Sequence, residues 1–273
     1  MTTAARPARD PLAADLTRFA GMGGTVANVS WALSGILVVA VGWEVYYRLN
    51  PSLFVPTVSD IVRSFFSHWL DPDIISTHLG GSVRRLIVGW GLSLVIGLVI
   101  GFFLGISTKV RAMFQPTADF MMSTPAIAFA PVAVMILGIN ENVNYFIIVT
   151  GSIWPLVINT ADGIGGTDEM YLRSARALKL GTLRTWLLVR IPAASPQIFA
   201  GARVSLAIAI ILLIASEMYI SPTGIGSEMV RAQYTFQVTE VWSGLLLLGL
   251  IGVGLSMVWG LAEQRLLRWH SRT

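Results

Sequence analysis

The sequence predicts an all-α integral membrane protein that crosses the bilayer six times. Three observations carry that prediction. Only 12% of the 273 residues are charged and 54% are hydrophobic, whereas a soluble domain carries roughly 25% charged residues. Apolar runs recur along the whole chain, and about 20 apolar residues cross the hydrocarbon core of a bilayer. The chain therefore has room for about six spans and short connections, but not for a separate soluble domain of ordinary size. Lysine and arginine, finally, are concentrated in alternate loops.

Residues 1–30 read as a polar tail. They contain Arg6, Arg9 and Arg18 but no long apolar core, so no cleavable signal peptide is expected. The transmembrane domain is expected over 31–264, with spans at about 31–47, 85–106, 113–137, 143–158, 198–220 and 241–261, followed by a tail at 265–273. Asn50–Pro51 and Pro56 end the first apolar run. In Thr57–Leu79, apolar Val58, Ile61, Val62, Phe65, Phe66 and Trp69 recur at helical spacing among polar residues, which predicts a surface or re-entrant helix. The turn Gly138–Asn142 separates the third and fourth spans.

Orientation follows from the basic residues. With both termini in the cytoplasm, fourteen of the nineteen Lys and Arg residues lie inside and five (Arg48, Arg63, Arg84, Arg85 and Arg231) lie outside. The basic pI is then mostly this bias and not a sign of nucleic-acid binding. Cysteine is absent, which excludes disulfides and thiol chemistry.

Within the second span Gly89, Ser93, Gly97, Gly101 and Gly105 recur every four residues. Such a face lets another helix approach closely in lipid, either within the chain or at a subunit interface or pore wall. Pro125 and Pro131 interrupt the third span, either as a kink or as a break beside a solute route. Glu217 lies inside the fifth apolar run, where an ionisable group faces the bundle interior or water. Glu44 has Arg48 as an i+4 partner.

Thr167–Pro196 is a polar interruption between two apolar spans, with Arg173, Arg176, Lys179, Arg184 and Arg190. Thr167 is a plausible N-cap, with Asp168 and Glu169 at the positive end of the helix dipole. Gly181 is placed as a left-handed cap ending the first helix, Thr182 as the cap of a second, and Ile191–Pro192 as its stop. A short helix with small residues and basic flanks suits a groove on a partner protein, or rests on anionic headgroups.

No catalytic residues, cofactor or metal site are expected. There is no nucleotide-binding glycine loop and no H-E-x-x-H, and His68, His78 and His270 are scattered. An intramembrane enzyme is thus without a nucleophile–base or metal constellation. A self-contained secondary transporter or channel is the other class, but proline breaks occur in the third span and have no counterpart in the other half.

The interruption resembles the cytoplasmic signature of binding-protein-dependent ABC importer permeases: Glu-Ala-Ala, three residues, Gly, nine residues, then Ile-x-Leu-Pro. Aligned on Ile191–Pro192, the Glu-Ala-Ala positions fall on Arg173, Ser174 and Ala175, the Gly on Lys179 and the Ile on Val189. Pro192–Arg203, Thr124–Ile139, Phe54–Val62 and the Gly224-x-Gly226 turn are similar to family stretches too, so the resemblance covers most of Pro51–Trp269. It is nearest the branch importing nitrate, sulfonates and related small anions.

The resemblance implies a type I importer permease fold in the cell inner membrane, a second permease copy, two ABC ATPase subunits and an extracytoplasmic solute-binding protein. It makes 161–197 the coupling loop. Met170, Tyr171, Leu172, Arg173, Ser174, Ala175, Arg176, Ala177, Leu178, Lys179 and Gly181 would form the ATPase contact. Arg173 and Lys179 depart from the family's Glu and Gly.

Overall fold

The computed structural model describes residues 34–267, and these are helical with no strand among them. The tail residues Arg6, Arg9, Arg18, Arg268, His270 and Arg272, and the start of the expected first span, lie outside the described residues. The chain divides into two units, the first ending at Val62 and the second beginning at Arg63.

In the first unit, α1 is helical over 34–49. Arg48 pairs with Glu44 at 2.6 Å, the partner expected from the sequence. Glu44 also accepts from the Ser59 backbone N–H (3.0 Å) and hydroxyl (2.8 Å), tying α1 to the start of α2 (Val58–Ser64).

The second unit opens with the end of α2 and a π-helical turn, Phe65–Trp69. Next come α3 (Pro72–Ile74), a second π turn (Ile75–Leu79) and α4 (Gly80–Ile106), helical throughout. The amphipathic stretch is therefore not one surface helix: its C-terminal part runs directly into the second span. Then follow α5 (Thr108–Ser123), a 3-10 turn (Ala126–Phe129), α6 (Ala130–Leu137) and α7 (Glu141–Gly165). The chain ends with α8 (Glu169–Ala177), α9 (Thr182–Thr185), a π turn (Trp186–Arg190), α10 (Ile191–Ile220), α11 (Ile225–Tyr234) and α12 (Val238–Leu266).

Among the described residues, four helical stretches are long and apolar enough to cross a bilayer: Pro72–Ile106, Glu141–Gly165, Thr182–Ile220 and Val238–Leu266. The expected third span, 113–137, is instead a pair of helices bent by 88°. The break is at Thr124–Pro125, because a residue before proline is driven out of the α region; Thr124 is extended at ψ 124°. Pro131 does not break anything, since it sits in the first turn of α6, where its missing N–H has no intrahelical partner.

The core is built on α7, which packs along both α4 and α10. A Cβ added at Gly89, Gly97 or Gly101 of α4 would lie 2.9, 2.9 or 2.6 Å from Ile148, Leu156 or Thr160 of α7. At Gly105 an added Cβ would lie 2.8 Å from Ile164, and Ser93 fills the remaining position of that stripe with a hydrogen bond to Ser152 at 2.8 Å. Ser205 of α10 donates to the Ser152 carbonyl at 2.6 Å, so one residue of α7 touches both neighbours. On the other face, Gly151 and Gly201 bring α10 as near: added Cβ atoms would lie 2.3 Å from Leu212 and 2.5 Å from Asn159.

Candidate functional site: the loop helix and the buried ion pair

The polar interruption folds as a capped helix on a continuous rod. Asp168 caps α8, its carboxylate accepting from the Met170 N–H at 2.8 Å. The expected cap, Thr167, instead donates to the Ile164 carbonyl at 3.0 Å and closes the end of α7. At the C-terminus, the Lys179 N–H donates to Arg176 O at 2.9 Å and the Leu180 N–H to Ala175 O at 3.0 Å. That pair of bonds is a Schellman cap, and it needs a left-handed residue at its turn. The residue is Lys179, at φ 50°.

Gly181 does not take this role. Its backbone is extended (φ −64°, ψ 160°) and it precedes α9 as the N-cap, the place expected for Thr182. The left-handed position therefore coincides with the Gly position of the signature, now filled by lysine. Nor does Ile191–Pro192 stop the second helix. The π turn hands over to α10, with the Ile191 N–H donating to Trp186 O, and Thr182–Ile220 runs on as one stretch of 39 residues. Proline at the first turn of α10 supplies no donor, and the wider turn ahead of it absorbs the mismatch.

Ala175 is buried on this rod, and α8 packs against Trp186–Arg190. Arg190 stacks over the Trp186 ring at 4.5 Å. Arg176 pairs with Glu169, and Arg173 lies 3.7 Å from the same carboxylate. Met170, Tyr171, Arg173, Ser174, Arg176, Ala177, Leu178, Lys179 and Gly181 are exposed, and Leu172 is half-buried. Met170 (69% exposed), Tyr171 and Leu178 (73%) thus present apolar surface among basic residues.

At the opposite end of α10, Glu217 is fully buried and Arg85 is 3% exposed. Their side chains meet at 2.9 Å. Glu217 also accepts from the Ser82 hydroxyl (2.7 and 2.9 Å) and from the Gly226 N–H (3.1 Å). Arg85 donates further to Thr223 O (2.8 Å), Thr223 Oγ1 (3.1 Å) and Glu141 (3.2 Å). Glu217 thus joins α10 to α4, while Arg85, counted from the sequence among the charges on the outside at the start of the second span, is part of the core. Gly224, at φ 131°, lets the backbone pass directly over the Glu217 carboxylate, where an added Cβ would sit 2.3 Å from Cδ. Pro131 borders an open apolar groove of about 520 Å³ with Ile127, Ala130, Val134, Tyr219 and Ile220; Pro125 lies at the preceding break.

Sequence reasoning missed a second polar cluster. His68 and His78, scattered in sequence, both approach Glu228 of α11: His68 Nε2 at 2.9 Å from Oε1 and His78 Nε2 at 3.8 Å from Oε2. Glu240 Oε2 is 3.9 Å from His68 Nε2. A hydrogen bond from Arg231 outweighs burial and holds the Glu228 carboxyl below its usual range. The available signal was that both histidines and both glutamates fall in the two loops assigned to the same side.

The family model described as the inner membrane component of binding-protein-dependent transport systems matches residues 93–269. The putative aliphatic sulfonates transport permease protein of Bacillus subtilis is 29% identical over 244 residues, 88% of each chain. The nitrate import permease protein of Leptolyngbya laminosa is 28% identical over 187 residues, 68% of this chain and 67% of the relative. A probable ABC transporter permease protein of Brucella abortus is 26% identical over 239 residues, 87% of this chain and 95% of the relative. Helices of the right length and polarity, a broken span and a capped helix at the signature position agree with that match, and the chain belongs to the binding-protein-dependent transport system inner membrane components, the type I permeases of ABC importers.

Proposed function

We propose that this chain forms the translocation pathway of an ATP-driven importer of small anions. It would work as two permease copies in the cell inner membrane, each with six spans and both termini in the cytoplasm. Two ATPase subunits would bind beneath and an extracytoplasmic binding protein would deliver the solute. The relatives named for aliphatic sulfonates and nitrate support the anion class.

One observation carries the coupling role: the exposed Met170, Tyr171 and Leu178 on a helix held by caps at both ends. In this reading α8 docks in an ATPase groove. Its movement passes into the Thr182–Ile220 rod, whose far end is anchored to α4 through Glu217 and Arg85. A rigid element with two positions is what couples distant sites. Arg173 and Lys179 match a groove more acidic than the family's usual one. Arg173→Glu should therefore weaken ATPase co-purification; unchanged or stronger binding counts against the acidic groove.

The main test is reconstitution with the cognate ATPase and binding protein. Met170→Asp and Leu178→Asp should abolish ATP-dependent uptake of sulfonate or nitrate while leaving thermal stability unchanged. Uptake by this chain alone, or uptake indifferent to both substitutions, overturns the proposal.

A further inference from the structure

We propose that His68, Glu228 and Glu240 form a binding site for one divalent transition-metal ion, with zinc the best match and His78 beside it. The site lies at the end of the bundle opposite α8, because it is built around α11, which follows the C-terminal end of α10.

The geometry is the first argument. One ligand atom each from His68, Glu228 and Glu240 lie within 4.8 Å of one another. Tetrahedral zinc with bonds of about 2.0–2.1 Å sets its ligand atoms roughly 3.3 Å apart. The observed separations from His68 Nε2, 2.9 Å to Glu228 and 3.9 Å to Glu240, bracket that value. His78 Nε2, 3.8 Å from the other Glu228 oxygen, lies outside this group of three and flanks the site, whose fourth position is open to water or another ligand. Its Nδ1 is 3.0 Å from the Gly224 carbonyl. The Gly224 N–H lies 3.2 Å from the same Nδ1, so both backbone groups of Gly224 hold the His78 ring beside Glu228.

The second argument is that two of the ligand atoms lack a hydrogen bond. His68 Nε2 and Glu240 Oε2 are buried and make no hydrogen bond. Each has only ion-pair neighbours, Glu228 Oε1 at 2.9 Å from His68 Nε2 and Arg231 at 3.5 Å from Glu240 Oε2, and two such atoms converging on one point suit a shared partner. Charge points the same way: Glu228 and Glu240 bring two negative charges and Arg231 one positive. A dication coordinated by two carboxylates removes the excess and competes with Arg231, which donates to both Glu228 oxygens and lies 3.5 Å from Glu240.

The third argument is construction. Both histidines sit in π-helical turns, at the fourth residue of Phe65–Trp69 and of Ile75–Leu79. Such turns are costly and collect at functional sites. The neighbouring Trp69 is 2% exposed, donates to Ser243 at 3.0 Å and packs with Ile225, Met229 and Leu247. This fixes the first π turn against α11 and α12, the helices that carry the two glutamates.

The test uses the full chain, purified in detergent on a histidine-free tag and stripped with chelator. Titration with cobalt(II) should give the visible d–d bands of a tetrahedral ion, saturating at one per chain and displaced by zinc. His68→Ala and the isosteric Glu240→Gln should each weaken binding tenfold or more, with Glu44→Gln unchanged. Glu240→Gln preserves volume, so a monodisperse variant that has lost the spectrum supports the site even if His68→Ala fails to fold. No stoichiometric cobalt spectrum in the unaltered chain, or binding that persists in both variants, overturns the assignment.

Discussion

Truncating Glu217 to alanine should destabilise the second unit by about 3 kcal/mol, near the lower end of the ~3–5 kcal/mol seen when one member of a buried pair is removed. The lower end applies because Arg85 does not lose every partner. It keeps Thr223 O at 2.8 Å, Thr223 Oγ1 at 3.1 Å and the partly exposed Glu141 at 3.2 Å. What it loses is its one fully buried counter-charge. The Ser82 hydroxyl and the Gly226 N–H lose their acceptor in the same change. Glu217→Gln retains one acceptor oxygen but presents an NH2 to a donor, for a loss of about 1–3 kcal/mol. The double variant Arg85→Met with Glu217→Leu removes both charges together, and such replacements are often neutral or better. It should recover most of the loss. The assay is unfolding of the detergent-solubilised chain followed by tryptophan fluorescence, with all four corners of the cycle measured. A Glu217→Ala variant within about 0.5 kcal/mol of the parent, or a double variant no better than the sum of the singles, would refute this account of the pair.

Lys179→Gly should strengthen the end of α8: a left-handed L-residue costs about 1–2 kcal/mol, glycine gives back about 0.5–1 kcal/mol in unfolded-chain entropy, and amide exchange at Leu180 should slow about two- to fivefold. Faster exchange would mean that the Schellman turn is not formed. Gly101→Ala should cost about 1–3 kcal/mol by overpacking, because its Cβ would meet Val157 O at 2.6 Å. Gly91→Ala on the same helix has open space around it and should gain up to ~1 kcal/mol in helix propensity; the reverse order in unfolding measurements would place the tight face of α4 elsewhere. Gly224→Ala should be about as damaging as Glu217→Ala, since it is strained at φ 131° and collides with the carboxylate. A melting temperature equal to the parent's would count against the close approach.

The sequence by itself determined the class of the protein. Its composition put it in lipid, its apolar runs located the long helices but fell short of their ends (143–158 against Glu141–Gly165, 198–220 against Ile191–Ile220), and the spacing around Ile191–Pro192 identified the loop signature. These are legible because they depend on local chain chemistry: span length, helix period, and the donor that proline lacks. The break at Thr124–Pro125 was half legible, as a proline effect without its 88° consequence. The caps were misread by a residue or two, since Thr167 and Asp168 both have the chemistry of a cap and only packing at the end of α7 decides between them.

Tertiary structure decided everything that depends on partners far apart in sequence. The stripe on α4 could face any helix until α7 filled it. Arg85 read as an outside charge at the start of the second span until the fold set it beside Glu217, more than a hundred residues away. The same holds for His68 and His78, which no local pattern joins to Glu228 and Glu240. A charge pair or ligand set is defined by distance in space, and sequence spacing conveys that only within one helix.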